Sequence, residues 1–325
     1  MPGVKHPRRG SLAFWPKKRA RRIYPQLSTY PEADKAKVLA FAAYKVGMAH
    51  AILIDNKKTS MTSGQEIVAP ITILDCPPLK VVGLRVYHKT AKGLEALNEV
   101  WAKELPKDLA RKSKVKPSKE EKLVEIEKNL ANISKVRAII CTQPRLSGIG
   151  KKKPEIFELE IGGKDIKEKF DFVKQLLGKD VTAKDVLKEG ELVDVIAVTK
   201  GKGMAGPVKR FGVKVQSRHA KKKRRHIGSL GQERPGKVRH TVALAGQLGF
   251  QTRTELNKRL LKIGEDGKEI NPKSGFKNYG VMKSNYIVLQ GSVPGSKKRL
   301  VLLRSSIRPS KLKLLVPEIK EVVSG

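Results

Sequence analysis

The residues with the clearest chemical potential lie in one segment, residues 195–232, which carries eleven Lys and Arg and no Asp or Glu. Its densest stretch reads Arg218-His219-Ala220-Lys221-Lys222-Lys223-Arg224-Arg225-His226. Because like charges at this density repel one another, the segment needs a polyanion to neutralise it, and a phosphate backbone is the commonest one. Glycines interrupt the segment at positions 201, 203, 206, 212, 228 and 231, which indicates an arm that lies against nucleic acid.

The whole chain has the same charge bias. It holds 69 Lys and Arg against 31 Asp and Glu, which gives a formal net charge of +38 and an isoelectric point near 10.2. Cys76 and Cys141 lie far apart without the spacing of a zinc site or a disulfide framework, so we expect a reducing, intracellular location. No apolar run approaches the ~20 residues that span a bilayer, and the N-terminus lacks the apolar part of a signal peptide. We therefore expect a soluble protein without a membrane partner.

Charge also divides the chain into parts. Residues 1–30 have eight Lys and Arg, four prolines and no acid, which predicts a basic, irregular N-terminal extension. Residues 91–190 hold 17 of the 31 acids and have the composition of an ordinary globular surface. The predicted parts are this extension, a core of 31–90 plus 181–325, an inserted α+β unit at 91–180, and a basic finger at 200–250.

Apolar spacing predicts the elements. Short β-branched runs bounded by Gly, Pro, Asn and Asp predict strands at 51–55, 68–74, 81–87, 136–142, 156–161, 192–199, 286–289 and 300–303. Helical spacing predicts three amphipathic helices. The first carries Leu94, Leu97, Trp101 and Leu105, with Trp101 in the core. The second carries Leu123, Ile126, Leu130 and Ile133 after a capping box at Ser118-Lys119-Glu120-Glu121, and the third carries Ile166, Phe170, Val173 and Leu177.

Strands on both sides of a helical insertion predict a mostly β fold, in which one β-barrel is completed by both ends of the chain. The finger is then a long excursion from this barrel. A loop of more than ~15 residues without structure of its own is usually functional or disordered. We interpret the finger as functional because its composition is so biased, although a run such as 218–225 is also typical of a solvated, disordered tail.

The sequence Gly201-Lys202-Gly203-Met204-Ala205-Gly206 fits the dinucleotide-binding pattern G-x-G-x-x-G. Such a site needs a helix directly after the glycines and an acidic residue about 20 positions later. Pro207 and Gly212 are expected to break that helix, and the acidic position falls within 221–225, where every residue is basic. The motif is therefore interpreted as a turn that brings the backbone close to RNA phosphates.

No set of residues predicts catalysis or metal binding. His6, His50, His88 and His240 are scattered without ligand spacing. The chain has no H-E-x-x-H, no G-x-S-x-G and no nucleophile elbow around a cysteine. Paired acids such as Glu120 with Glu121, or Glu265 with Asp266, lie in solvated contexts. We predict a protein that is not an enzyme and has no cofactor, metal or small-molecule substrate.

Several stretches together resemble one known family. The signature is made of Leu187, Asp194, Ala197, Thr199, Gly201, Lys202, Gly203, Gly206 and Arg210. With it come Arg8-Arg9-Gly10-Ser11-Leu12, Pro16-Lys17-Lys18-Arg19-Ala20, Tyr44-Lys45-Val46-Gly47-Met48-Ala49-His50, Ala245-Gly246-Gln247-Leu248-Gly249 and Gly291-Ser292-Val293-Pro294-Gly295-Ser296-Lys297-Lys298-Arg299. On these residues the chain resembles the large-subunit ribosomal protein three family, universal name "L three", in its archaeal type.

The resemblance implies a translation-protein-like barrel on the outer face of the large ribosomal subunit, with extensions that thread between rRNA helices. It implies that the finger reaches toward the peptidyl-transferase centre, and that the partners are large-subunit rRNA and neighbouring ribosomal proteins. Many archaeal and eukaryotic members have a Trp at the finger tip, which this chain lacks. Its tip is predicted at Ser229, Gly231, Gln232, Pro235 and Gly236.

The predicted RNA-binding residues are basic side chains from three regions, which neutralise phosphates, plus two histidines that could donate or stack. They are Arg8, Arg9, Lys17, Lys18, Arg19, Arg21, Arg22, Lys200, Lys202, Lys209, Arg210, Lys214, Arg218, His219, Lys221, Lys222, Lys223, Arg224, Arg225, His226, Arg234, Lys237, Arg239, Arg253, Lys297, Lys298 and Arg299. Trp15 is expected to pack on RNA or on the barrel.

Three alternatives remain from the sequence. One is an RNA-modifying enzyme with a basic clamp, and another is a chromosomal protein that compacts DNA. A third applies only to residues 1–22, whose cations are also found in targeting segments, although transit peptides are typically richer in Ser.

Overall fold

The computed structural model describes residues 8–57, 60–119, 121–234, 236–310, 316 and 318–323. They form two compact units. The basic unit consists of Val198–Arg253 and the described residues up to Ile23. The barrel unit consists of the described residues of Tyr24–Ala197 and Thr254–Gly325. The four parts expected from the charge distribution stay a prediction.

Strands dominate the described residues. The strands are β1 (Ala40–Ile54), β2 (Glu66–Asp75), β3 (Leu79–Thr90), β4 (Gly93–Trp101), β5 (Lys135–Thr142), β6 (Ile156–Glu160), β7 (Asp180–Val181), β8 (Leu192–Val198), β9 (Gly201–Ala205), β10 (Gly246–Gly249), β11 (Thr252–Gly264), β12 (Tyr286–Gln290), β13 (Leu300–Ser305) and β14 (Ile319–Val323). The α-helices are α1 (Glu121–Lys128), α2 (Ile166–Leu176), α3 (Ala183–Val186) and α4 (Pro207–Phe211). The 3-10 helices are Leu12–Phe14, Lys107–Arg111, Leu130–Asn132, Pro144–Leu146, Arg218–Lys223 and Gly267–Ile270.

The largest sheet closes into a six-stranded barrel. Its strand order is β13-β8-β11-β12-β2-β1, and a further pairing of β1 with β13 joins the two ends. Closure is possible because β1 is 15 residues long: its first part, Ala40–Tyr44, pairs with β13, and most of its length pairs with β2. Strands from before and after the insertion complete one barrel, which confirms the predicted fold class.

Strands of the barrel are buried on both faces, since all five residues of Ala40–Tyr44 in β1 are buried. Phe41, Tyr44, Leu74 and Leu303 are almost fully buried, and each such side chain contributes roughly 1.5–3 kcal/mol. Closure leaves fewer open strand edges: in the part of the chain that the structure describes, β14 alone extends the sheet beyond β1.

One buried ion pair lies in the barrel unit. Asp194 accepts hydrogen bonds from the Arg304 guanidinium at 3.2 and 3.3 Å and from the Asn257 backbone N–H at 3.1 Å. Arg304 also donates to the Thr29 carbonyl at 2.6 Å. These partners satisfy two charges that would be costly to bury alone. Asp194 belongs to the family signature, and the structure gives it this supporting role.

A second sheet has the order β4-β3-β5-β6, with β7 on β3. Helix α2 packs against it through the buried Phe170 and Val173. This confirms the helix predicted from residues 166–177. The second predicted helix is present but shorter, as α1 followed by the 3-10 helix Leu130–Asn132, and Glu120 of its predicted capping box lies outside the described residues.

The helix predicted from Leu94 to Leu105 is wrong. These residues form β4, which pairs with β3 from Gly83 opposite Trp101 to Thr90 opposite Gly93. Leu94 and Leu97 are 42% and 45% exposed, so their helical spacing does not mark a buried face. Trp101 is half-buried, and its indole N–H donates to Glu99 at 3.0 Å. The tight connection after Thr90 forces the chain back along β3, which overrides the local spacing.

Candidate nucleic-acid interface

Charge is concentrated in the basic unit. In the sequence, Met1–Ile23 and Val198–Arg253 together have 79 residues, with 23 Lys and Arg and a single acid, Glu233. This gives 22 of the 38 net positive charges of the chain. The other 246 residues have 46 Lys and Arg against 30 acids. The basic unit therefore has an excess of positive charge that its own carboxylates cannot balance, and a polyanion would be attracted to it.

A two-stranded ribbon forms the base of the finger. Strands β9 and β10 pair with Gly246 opposite Ala205 and Gly249 opposite Gly201. The ribbon is extended by a hydrogen bond from the Thr199 N–H to the Gln251 carbonyl at 3.0 Å. We call residues 198–216 and 241–253 the finger base, and residues 217–240, which lie between them, the finger loop.

The glycine-rich motif is part of this ribbon. Gly201 to Ala205 form β9, so the turn predicted for the motif is wrong, although Gly203 has a φ of +64°. The expectation that Pro207 breaks a helix is also wrong, whereas Gly212 interrupts the helix as expected. Pro207 is the first residue of α4, where a missing N–H costs nothing, and Gly212 ends it with a φ of +70°. The helix has only five residues, and the missing acidic residue still argues against a dinucleotide site.

Arg210 ties the two halves of the finger base together. Its Nε donates to the Gln247 carbonyl at 3.0 Å and its Nη1 to the Leu244 carbonyl at 2.9 Å. Burial lowers the pKa of this guanidinium. A Cβ at Gly246 would lie 2.9 Å from the guanidinium carbon, so this glycine makes room for the arginine. Arg210 was predicted to bind RNA, and the structure engages two of its donors within the protein.

An aromatic cluster joins the N-terminal residues to the finger base. Phe211 is only 6% exposed and stacks on Trp15, with ring centroids 5.9 Å apart. Lys17 lies 5.4 Å from the Phe211 centroid and 5.9 Å from that of Trp15. Burial, and then the nearby Arg253 and Arg210, lower the pKa of Lys17. Trp15 therefore packs on the finger base, and its expected contact with RNA stays a prediction.

Further contacts fix the same N-terminal residues. Arg8 donates to the Thr241 carbonyl at 2.5 Å, and the Ala20 N–H donates to the Phe250 carbonyl at 2.8 Å. Arg19 lies over the Phe250 ring at 5.0 Å. Sequence reasoning treated the tail and the finger as separate extensions. The aromatic residues spaced among the cations of both segments were the signal of this packing.

The finger loop has a different character, since none of its described side chains is buried. Its 3-10 helix Arg218–Lys223 is broken at Lys221, which has a φ of +44°. Backbone bonds shape the loop: the Gln216 N–H donates to the Arg224 carbonyl at 3.0 Å, and the His226 N–H to that of Lys223 at 3.0 Å. The finger loop is thus shaped by backbone hydrogen bonds and not by a buried apolar core, and its Lys and Arg side chains are exposed.

Most predicted RNA-binding side chains are exposed. The exposed ones are Arg8, Arg9, Lys18, Arg19, Arg21, Arg22, Lys200, Lys202, Lys209, Lys214, Arg218, His219, Lys221, Lys222, Lys223, Arg224, Arg225, His226, Arg234, Lys237, Arg239 and Lys298. Lys17, Arg210, Arg253, Lys297 and Arg299 are half-buried.

Three of the predicted residues belong to the barrel unit and not to the basic unit. They are Lys297, Lys298 and Arg299. Lys297 donates to the Lys277 carbonyl at 2.6 Å, and the Lys298 N–H donates to the Lys45 carbonyl at 2.7 Å.

The predicted tip residues Ser229, Gly231, Gln232 and Gly236 are exposed, and Pro235 lies outside the described residues. The Gly231 N–H donates to the Ser229 hydroxyl at 3.3 Å. Gly231 and Gly236 have φ values of +131° and +70°, which favour glycine. The predicted tip residues are thus small, polar or glycine, and the leucine between them, Leu230, is 46% exposed.

Little in the described residues points to catalysis. They contain no group of three or more His, Cys, Asp and Glu side chains that would hold a metal ion. Both cysteines are buried, and burial raises the pKa of Cys141 to about 12 and that of Cys76 well above its usual value. A thiolate nucleophile is therefore disfavoured at either position. Among the helices described, none is long and apolar enough to cross a membrane.

Replacing Gly249 with Ala is expected to open the ribbon. Gly249 has a φ of +70°, and a Cβ there would lie 2.0 Å from the Lys200 carbonyl oxygen. We expect a loss of about 1–3 kcal/mol in local stability, measured as faster amide exchange in β9 and β10. Gly206→Ala is the matched control, because no atom lies within 4 Å of that Cβ and its φ is −69°. Equal exchange in the two variants would contradict this view of Gly249.

The chain is similar in sequence to known ribosomal proteins over nearly its whole length. The family model for ribosomal protein L3 matches residues 1–324. The large ribosomal subunit protein uL3 of Methanocaldococcus jannaschii is 49% identical over 320 residues, which cover 97% of this chain and 96% of that protein. The uL3 proteins of Methanococcus maripaludis strain S2 and Methanopyrus kandleri are 48% and 47% identical, over 96% and 94% of this chain and 95% and 86% of their own lengths. These relatives are named as ribosomal proteins, which confirms the archaeal-type resemblance and the prediction of a class other than enzymes.

Proposed function

Because the chain belongs to the ribosomal protein L3 family, we propose that its basic unit binds large-subunit rRNA and so makes the protein a structural part of the large ribosomal subunit in the cytoplasm. One observation carries the proposal: the basic unit has 23 Lys and Arg against one acid, and its finger loop exposes its cations. Neighbouring ribosomal proteins are the second class of partner.

Counterion release supplies the affinity. Each phosphate that a Lys or Arg neutralises frees condensed counterions, so binding weakens by about 0.7–0.9 log units for each phosphate contact per tenfold rise in salt. Exposed Arg side chains in the finger loop also fork across phosphate oxygens or stack on exposed bases. The finger base supplies the geometry, since its ribbon and aromatic cluster give the loop a fixed starting point.

The finger loop is proposed to support subunit assembly and the architecture around the peptidyl-transferase centre. Its tip has small and flexible residues that suit a narrow RNA crevice. An irregular loop of this kind fits folded RNA better than the uniform grooves of duplex DNA, because shape carries much of the specificity in RNA recognition. The extension at 1–30 and the finger at 200–250 are proposed as the parts that enter the rRNA, and the barrel as their scaffold. The more acidic insertion at 91–180 is proposed to face water.

Deletion of residues 229–237 is expected to leave incorporation into subunits intact and to slow peptide-bond formation severalfold. The reason is that the cations at 218–225 remain, whereas the tip that would line the reaction centre is lost. The measurement is single-turnover peptide-bond formation by purified ribosomes. A chain with Gly and Ser at the same nine positions is the control, and it separates side-chain chemistry from loop length. Wild-type rates in the deletion variant would remove the proposed role of the tip.

A further inference from the structure

One hollow in the basic unit combines apolar and cationic walls. Its volume is about 770 Å³, within the range of roughly 300–1,000 Å³ that is usual for small-ligand sites. The apolar wall includes Ile227, Leu230 and Leu244. The cationic wall includes Lys223 and Arg225, with His226 beside them. Among the described residues, no Asp or Glu lines the hollow, so none of their carboxylates repels an anion there.

The apolar wall is open to an occupant. Leu230 is 46% exposed and Leu244 is 43% exposed. A single exposed leucine is ordinary on a protein surface. Here two of them line the same hollow in the most strongly charged part of the chain, although they lie 14 positions apart in sequence. The Gln216 side chain donates to the carbonyl of His226, the residue before Ile227, at 2.9 Å, and so ties this part of the finger loop to the finger base.

We propose that this hollow holds one unstacked nucleotide of the bound RNA, with its base on Leu230 and Leu244 and its phosphates on Lys223 and Arg225. A nucleotide supplies a flat apolar face and an adjoining anion, which are the two features that the walls require. This inference rests on the proposed binding of rRNA and names the part of the RNA that the finger loop recognises. The hollow adds recognition of a base to a surface that otherwise contacts phosphates.

An apolar peptide of a neighbouring protein is the competing occupant. It would cover the leucines but leave Lys223, Arg225 and their neighbours without counter-charges. The nucleotide is favoured because the cations lie on the wall of the hollow itself, and because the sequence from 195 to 232 has no acid.

Two single-stranded RNA octamers of identical sequence test the proposal with the full chain. One carries 2-aminopurine at its centre, and the other is abasic there. We expect the wild-type protein to bind the first about fivefold to tenfold more tightly, the lower part of the range for one base on an aromatic platform, with a change in 2-aminopurine fluorescence. The variant Leu230→Ser/Leu244→Ser should bind both octamers with the affinity that the wild type has for the abasic one, since its charge is unchanged.

The controls are Met204→Ser and Val238→Ser, which alter exposed apolar residues of the same unit outside the hollow. Both should still discriminate between the octamers. The variant Lys223→Ala/Arg225→Ala should bind both octamers more weakly than the wild type does, and by the same factor.

The proposal is overturned if the wild type binds the octamers equally while it still binds rRNA, or if the leucine variant still discriminates between them. A wild-type protein that fails to bind rRNA at all would instead refute the proposed function, and equal octamer binding with tight capture of an apolar, acidic peptide would assign the hollow to a protein.

Discussion

Alanine at all five positions of the cluster 221–225 is expected to lower the affinity for large-subunit rRNA by about 100- to 1,000-fold at physiological salt, while the barrel stays folded. All five side chains are exposed, and the described part of the finger loop has no buried side chain, so the charges contribute to binding and not to folding. If each cation neutralises one phosphate, the slope of log affinity against log salt falls by about 3.5 to 4.5. Filter binding at several salt concentrations measures both quantities, and assembly of large subunits should be impaired in the same variant.

The matched control removes the same number of charges elsewhere. Lys112, Lys114, Lys116, Lys119 and Lys122 are exposed and belong to the barrel unit. Their replacement with Ala changes the net charge by the same amount as the replacement of 221–225. A much smaller loss of rRNA affinity in this control would therefore place the interface at 221–225. Equal losses in the two variants would mean that net charge alone drives binding. Competition by duplex DNA at moderate salt adds a second comparison, and a preference for DNA would favour a chromosomal protein.

Phe211→Ala is expected to release the N-terminal residues from the finger base. The ring is 6% exposed and contacts Trp15, Lys17 and Gly10, so its removal costs about 3–5 kcal/mol of local stability, as for other buried aromatic residues. Hydrogen exchange should then rise at residues 8–20 and in β9 and β10. Weaker rRNA binding should follow, since two basic segments that were held together become independent.

Phe14→Ala is the control for this experiment. Phe14 is 53% exposed and lies 4.8 Å from Arg253, a cation–π contact that contributes about 0.5–1 kcal/mol. Its loss should alter exchange only slightly. If Phe211→Ala left the exchange of residues 8–20 unchanged, the aromatic cluster would not be what holds the tail.

The barrel was largely predictable because most of its strands coincide with short apolar runs in the sequence. Runs such as 68–74 and 300–303 alternate or are wholly apolar, and turn residues bound them. The strand β4 was missed because Leu94, Leu97 and Trp101 happen to follow helical spacing, whereas pairing with β3 decides their conformation. The long strand β11 was missed as well, since its polar first half, Thr252–Lys258, has no apolar pattern to predict a strand.

The charge of the candidate interface was predictable from the sequence, but its shape was not. Composition alone located the exposed cations of 218–225. The stacking of Trp15 on Phe211 joins residues 196 positions apart, and the two bonds from Arg210 reach the carbonyls of 244 and 247. Contacts over such distances depend on how the ribbon folds back, which local patterns do not encode. These contacts show that the finger base is held in place by other parts of the same polypeptide. The expectation that residues 195–232 need RNA to neutralise and order them therefore now applies to the finger loop alone.

Limited trypsin digestion of the free protein and of the protein in large subunits tests the central claim most directly. The account predicts rapid cleavage of the free protein in low salt at Lys and Arg residues of 218–239, slower cleavage in the finger base, and protection of all these sites in the subunit. A free protein whose finger loop resists trypsin in low salt, or a subunit in which the loop is still cleaved, would contradict it.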